Sequence, residues 1–319
     1  SASALPAIFA AMTASASRSI QPHLAVLAAN IFFAINFIAV PHLTNGFIAP
    51  AAINLLRVGI SVLLFWGLLL FKPSYAGIKK KDLPRFLLCA LTGVVINQIL
   101  FIKGLSLTLP IHAALLALGT PIFITFVAAW LDKESLTVLK IIGLGLGVGG
   151  ALILVTGREG SGEAKDIVLG NILVIINAIS YAFYFSLVKP LMKEYKPLHV
   201  LRWIFTLGLP FMLVFGWRSL TEVDWKQFGE LEWAAIVMVV VAATFLAYLF
   251  NLYGINQLGA GVTGAYIYTQ PVFATILSVW LMGEKLNVTK IAAAILIFAG
   301  VWIQLYCSIS ASGRTIHFL

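Results

Sequence analysis

The chain of 319 residues is 61% hydrophobic and only 10% charged, with a mean hydropathy of +1.01. A soluble domain carries about a quarter charged residues, so this composition excludes a water-soluble globule and points to a polytopic membrane protein. The net charge of +9 does not indicate a nucleic-acid partner, because the basic residues cluster between apolar runs, as in KKKDLPR (79–85) and KPLMKEYKP (189–197), where they set topology.

The Ala/Ser-rich N-terminal segment (1–23) lacks the basic start of a signal peptide and is set outside the fold, as is the tail 309–319. Ten apolar runs then read as helices near 24–41, 49–71, 84–106, 111–131, 137–156, 167–188, 198–216, 232–254, 262–282 and 287–308. Their connections are too short for a soluble domain. Cys89 and Cys307 lie within apolar runs and read as packing residues rather than a disulfide framework.

Polar groups inside such runs are costly and therefore informative. The first run carries Asn36 in FFAINFIAV, and the second carries Arg57 about 12 Å from its end at 1.5 Å per residue. The third offers Asn97 and Phe101 one turn apart; the fourth offers Thr120 beside Pro121. In the fifth, GLGLGVGG (143–150) lacks the GK[ST] ending of a phosphate loop, and its overlapping Gly143/Gly147 and Gly145/Gly149 pairs suit close helix packing. Residues 157–166 read as an extracytoplasmic linker. In the sixth run Asn177, Tyr181 and Tyr184 share a face. Arg202 opens the seventh, and Asn251 in the eighth faces the same register as Phe101. In the ninth, Thr263, Tyr266, Gln270 and Phe273 follow one helical face beside Pro271. Each proline frees the carbonyl four residues back, Ala117 and Ile267, and kinks its helix; the kink either shapes packing or lines a cavity.

The ninth run repeats the fourth. PIFITFVAAWLDKESL (121–136) aligns without a gap on PVFATILSVWLMGEKL (271–286), matching Pro121/Pro271, Phe123/Phe273, Thr125/Thr275, Trp130/Trp280, Glu134/Glu284 and Leu136/Leu286. FAINF (33–37) likewise aligns on YAFYF (181–185). Five helices per unit is odd, so the second copy enters the membrane from the opposite side, the inverted repeat of secondary transporters.

Two five-helix units, each with a proline in its fourth helix and a W-L-x-x-E-x-L exit, together with Asn36 and Arg57, resemble the EamA-type transporters of the drug/metabolite transporter superfamily. The usual tryptophan-glycine before Asn36 is replaced by Phe33-Ala34-Ile35. The resemblance covers roughly 24–308 and implies an all-α protein of ten transmembrane helices, with repeats at 24–156 and 167–308. It further implies alternating access and export or exchange of small amphipathic metabolites, amino acids or drugs, without a cofactor.

Asn36, Asn97, Phe101, Thr120, Tyr181, Tyr184, Asn251, Tyr266 and Gln270 are accordingly expected to line a solute site, with interhelical hydrogen bonding as the competing role. Arg57 reads as a counter-charge for a carboxylate or phosphate of the solute or as one member of an ion pair. Arg57 with Glu284, and Arg202 with Glu134, are expected either as alternating gates joining the repeats or as snorkelling arginines beside solvated acids. More of the 21 basic residues fall on the side holding both termini, which places those termini in the cytoplasm of an inner or plasma membrane. All twelve acids lie in loops or at helix ends, and His112 reads as an interfacial hydrogen-bonding residue, so facilitated or exchange transport is expected over a proton relay. No metal cluster, paired carboxylates or nucleophile–base pair stands at membrane depth, which argues against an intramembrane enzyme. A sugar-phosphate or nucleotide-sugar exchanger would need more buried cations than Arg57. Whether the protein is a monomer or a homodimer is open.

Overall fold

The computed structural model describes residues 4–71, 77–117, 119–131, 138–156, 166–258, 266–283 and 286–311. Among these residues the chain is helical, with no strand. The helices are α1 (Ala4–Thr44), α2 (Pro50–Phe71), α3 (Lys80–Leu105), α4 (Pro110–Ala117), α5 (Thr120–Leu131) and α6 (Val138–Thr156). After the linker follow α7 (Ile167–Glu194), α8 (Pro197–Thr221) and α9, which runs through Glu230–Val237, Met238–Leu246 and Ala247–Leu258. The chain ends with α10 (Gln270–Met282) and α11 (Val288–Ala311). Six of these helices are long and apolar enough to cross a membrane, and shorter apolar helices accompany them. Lipid offers no hydrogen bonds to the backbone, so apolar segments of this length are stable there only as helices.

The first helix is longer than the run from residue 24 predicts: it is continuous from Ala4, and its packed part includes Ile20–Thr44. The expected proline kinks are breaks. α4 ends at Ala117 and a new helix starts at Thr120, so Pro121 is its second residue; Pro271 is likewise second in α10, after a 3-10 turn over Tyr266–Thr269. A proline in the first turn loses no bond, because the N–H there has no intrahelical partner. A threonine beside each break donates to the carbonyl three residues back: Thr120 to Ala117 at 2.6 Å and Thr269 to Tyr266 at 2.7 Å. Thr120 thus satisfies the Ala117 carbonyl, which the end of α4 leaves without a helical partner.

α3 and α9 each contain a π-helical stretch, Leu91–Val95 and Met238–Leu246. Such bulges add a residue to a turn and rotate everything beyond them, which is why Asn251 and Phe101 cannot be placed on one register by counting. The helices pack as α1 on α9 and α10, α7 on α3, α4 and α5, α2 on α8 and α9, α8 on α3, and α6 on α11. α2 and α8 run antiparallel: Trp66 bonds Thr206 at 2.8 Å near one end, while a Cβ on Gly216 would lie 2.6 Å from the Ala51 carbonyl at the other.

The glycine run behaves as half expected. A Cβ on Gly300 would stand 2.5 Å from the Gly143 carbonyl and 2.9 Å from the Gly147 nitrogen, so this pair brings α6 and α11 into backbone contact. Gly145 and Gly149 have nothing within 4 Å and take no part in that contact. Outward faces carry large apolar side chains, including Trp280 at 80% and Val288 at 83% exposure, as lipid-facing surfaces do.

Candidate functional site

The polar centre of the molecule forms around Arg57. α2 presents Asn54, Arg57 and Ser61 at i, i+3 and i+7, a single stripe, and all three are buried. Arg57 Nε donates to Thr244 Oγ1 on α9 at 2.9 Å, and that hydroxyl donates to the Val239 carbonyl at 2.8 Å inside the π-helical stretch. A regular helix would bond the amide of residue 244 to residue 240; the bulge leaves the hydroxyl a partner five residues back. Tyr248, one turn beyond Thr244, packs with Tyr181 and Tyr184 of α7 in one cluster that also contains Val58, the residue after Arg57. The rings of Tyr181 and Tyr184 are 5.5 Å apart, and Phe33 of α1 meets Tyr248 edge-on at 6.2 Å. Gly93, in the π-helical part of α3, makes room for this arrangement: a Cβ there would lie 2.5 Å from the Tyr184 ring.

Several polar atoms in and beside this centre are buried without a partner: Arg57 Nη1, Asn54 Oδ1, Ser61 Oγ and Asn36 Oδ1, with both amide atoms of Gln98 on α3. A buried donor or acceptor left unpaired costs about 1–3 kcal/mol, and more when charged. Native structures keep such groups few, and several together call for an explanation. Asn97 is not part of this set in the way its side chain suggests, since its backbone carbonyl accepts from Asn177 Nδ2 at 2.7 Å. Ser180 similarly donates to the Thr92 carbonyl at 2.8 Å, so α7 is bonded to the bulged segment of α3. Phe101 packs edge-on against Phe37 at 5.7 Å. Asn251 is half-buried.

Gln270 and Tyr266 lie on a separate seam between α1 and α10. Gln270 Nε2 donates to Asn30 Oδ1 at 2.7 Å; Asn30 is fully buried and donates to the Val26 carbonyl at 2.7 Å. Two turns back along α1, His23 Nδ1 meets the Tyr266 hydroxyl at 2.7 Å. A second polar seam joins α4 and α7, where Asn171 accepts from Thr108 and bonds His112 at 3.1 Å. His112 is thus the hydrogen-bonding residue expected, near the start of α4 and buried in a helix seam.

Glu134 and Glu284 lie outside the described residues. Among the described residues neither arginine meets a carboxylate. Arg202 is buried, donates from Nε to the Phe65 carbonyl at 3.3 Å and sits 5.4 Å above the Trp66 ring. Acids find side-chain partners at the two ends of the helix bundle. Near the start of α2, His42 meets Glu232 at 3.1 Å, and Phe47 packs on Phe228. Near its end, Lys79 and Lys81 bracket Glu194 at 2.6 and 3.3 Å, and Tyr195 donates to Asp82 at 2.7 Å. The hydrogen bond that Lys79 donates to the Glu194 carboxylate holds its ammonium above the ordinary pKa. Exposed pairs of this kind contribute little to stability, because water and salt screen them. A cleft of about 80 Å³ lined by Pro41, His42, Thr108, Pro110 and Met282 opens beside the first of these ends. Ligand cavities run to roughly 300 Å³ or more, so this cleft is too small for an organic solute, and Arg57 is not part of its lining.

Sequence reasoning thus found Arg57, Tyr181 and Tyr184, which the fold gathers, and missed Tyr248, Thr244, Asn54, Ser61, Gln98, Asn30, His23 and Gly93. The stripe Asn54–Arg57–Ser61 was the available signal, being three polar residues at helical spacing in an apolar run.

Apolar helices packed around a buried polar centre built from both halves of the chain define an integral, multi-pass helical membrane protein. The chain belongs to the EamA-like transporter family, which matches it twice, over residues 21–156 and 168–306. It is similar to YyaM of Bacillus subtilis, described as an uncharacterized transporter, at 24% identity over 81% of this chain and 85% of that one. It is also similar to the Arabidopsis thaliana protein WALLS ARE THIN 1, at 24% identity over 81% and 78% of the two chains. A crystal structure that shares 18% identity aligns with a TM-score of 0.60 over 92% of this chain and 99% of that one, which shows a common fold. The activity of the family is membrane transport, not enzymatic catalysis, and its partners are a small-molecule solute and the bilayer.

Proposed function

We propose that the chain is a secondary transporter that moves small amphipathic metabolites, amino acids or drugs by alternating access, as an exporter or exchanger. Ten transmembrane helices form two inverted repeats, 24–156 and 167–308, with both termini in the cytoplasm. The carrying observation is the centre itself: Arg57 from the first half is bonded to Thr244 of the second, beside a packed cluster that holds Val58 of α2 together with Tyr181, Tyr184 and Tyr248 of the second half. The inversion is supported by the packing. Exchanging the halves turns α1 on α9 into α7 on α3, α1 on α10 into α7 on α4 and α5, and α2 on α9 into α8 on α3. The breaks before Pro121 and Pro271 fit the discontinuous helices that such folds place near the midplane.

Alternation follows from the two ends. Opening the His42–Glu232 end while the Lys79–Glu194 end stays joined exposes the centre to one side, and the reverse movement exposes it to the other. Without an acid at membrane depth to carry protons, the solute gradient drives the cycle. The test is uptake by the purified chain in proteoliposomes, with aromatic amino acids and amphipathic amines, with and without proton and sodium gradients. Flux that follows the solute gradient and ignores a protonophore is expected. A solute-dependent proton current would overturn the facilitated mode, and identical flux in empty liposomes for every solute would overturn transport.

A further inference from the structure

Arg57 is a buried cation whose nearest polar neighbours are neutral. Its Nε is committed to Thr244, while Nη1 is buried and free. Asn54 and Ser61 flank it on the same stripe of α2, each with a free buried oxygen, and Tyr248 packs in the cluster that holds Val58, the next residue of α2. The acids of the chain cannot supply the missing charge from its own α2 stripe or from the α9 segment facing it, since residues 50–71 and 233–258 contain none. Two buried donors without partners, Arg57 Nη1 and the Ser61 hydroxyl, thus share one stripe of α2, where one negative charge would be neutralised.

Resting on the transport reading above, we infer that this centre takes an organic monocarboxylate. The guanidinium of Arg57 binds the carboxylate through its free nitrogen, with the hydroxyls of Ser61 and Tyr248 as further donors. The rings of Tyr181 and Tyr184 cover the apolar body of the solute. A phosphate ester carries nearly two negative charges at pH 7, one more than Arg57 offsets. The second buried arginine does not help: Arg202 lies level with Phe65, eight residues along α2 from Arg57, roughly 12 Å away at 1.5 Å per residue. It is also held against Trp66. An amine would add a second positive charge beside an uncompensated one.

The test is binding to the purified full chain in detergent at pH 7.5, read by tryptophan and tyrosine fluorescence and by calorimetry. The probes share one body: 3-phenylpropionate, its neutral amide 3-phenylpropionamide, the amine 3-phenylpropylamine and 3-phenylpropyl phosphate. The carboxylate is expected to bind at least tenfold tighter than each of the others. Arg57→Gln should erase that preference, whereas Arg57→Lys, which keeps the charge but not the fork, should retain part of it. The wild-type panel stands even if the variants fail to fold. Equal binding of all four probes, tighter binding of the amine or the phosphate, or no binding of the carboxylate overturns the inference. Gradient-driven uptake of an amine together with any of those results would leave the transport reading intact and remove only the anion site.

Discussion

Arg57 and Arg202 lie one in each half, each following a leucine near the start of its helix, on antiparallel helices packed against one another. Both are buried, and each sends its Nε across to the other half. Their surroundings differ. Arg202 ends on a backbone carbonyl and under an indole, both fixed features of α2. Arg57 ends on a hydroxyl, beside a tyrosine cluster and two free amide or hydroxyl oxygens on its own stripe. Each half carries one buried arginine; the neighbours of Arg202 fix it between helices, and those of Arg57 leave it the donor for the proposed solute.

The sharpest way to break this comparison is to neutralise each arginine in turn. Arg57→Gln is expected to lower solute uptake about 100-fold, or roughly 2.7 kcal/mol, with folded yield retained. Arg202→Gln should leave the half-saturating concentration within about threefold and instead lower thermal stability. The loss should be about 2 kcal/mol, from a charged hydrogen bond and a cation–π contact. Uptake and melting of both variants decide it, and equal losses of uptake would erase the distinction. Thr244→Val removes the acceptor of Arg57 Nε while leaving the charge in place. It should raise the half-saturating concentration about tenfold, or roughly 1.4 kcal/mol. The smallest expected effect lies at the α1–α10 seam. A double-mutant cycle of Asn30→Leu and Gln270→Leu should give a stability coupling of about 0.6 kcal/mol, typical of hydrogen bonds between membrane helices. A large loss of solute affinity there would return Gln270 to the solute site.

The repeat was legible because Pro121/Pro271 and Trp130/Trp280 recur at one offset, and prolines dictate backbone whatever their neighbours do. Thr120 was legible as polar but not as a plug for the Ala117 carbonyl, since that role depends on the helix breaking rather than bending. Arg57 stood out as a charge in an apolar run, yet its partner lies 187 residues away. Gln270 looked solute-facing for the same reason: its partner Asn30 is 240 residues distant, and no local pattern announces it. The π-helical stretches in α3 and α9 hid the rest, because a bulge shifts the face of every later residue and composition gives no warning of it.

Alternating access around the Arg57 centre is tested most directly by electron–electron distance measurements on the full chain in lipid nanodiscs. One nitroxide pair at Asn45 and Gln227 reports the His42–Glu232 end; another at Lys80 and Lys193 reports the Lys79–Glu194 end, with Cys89 and Cys307 replaced by alanine. Solute should shift both distance distributions in opposite senses, one end lengthening as the other shortens. Two ends that lengthen together, or neither changing while solute is transported, would contradict the account.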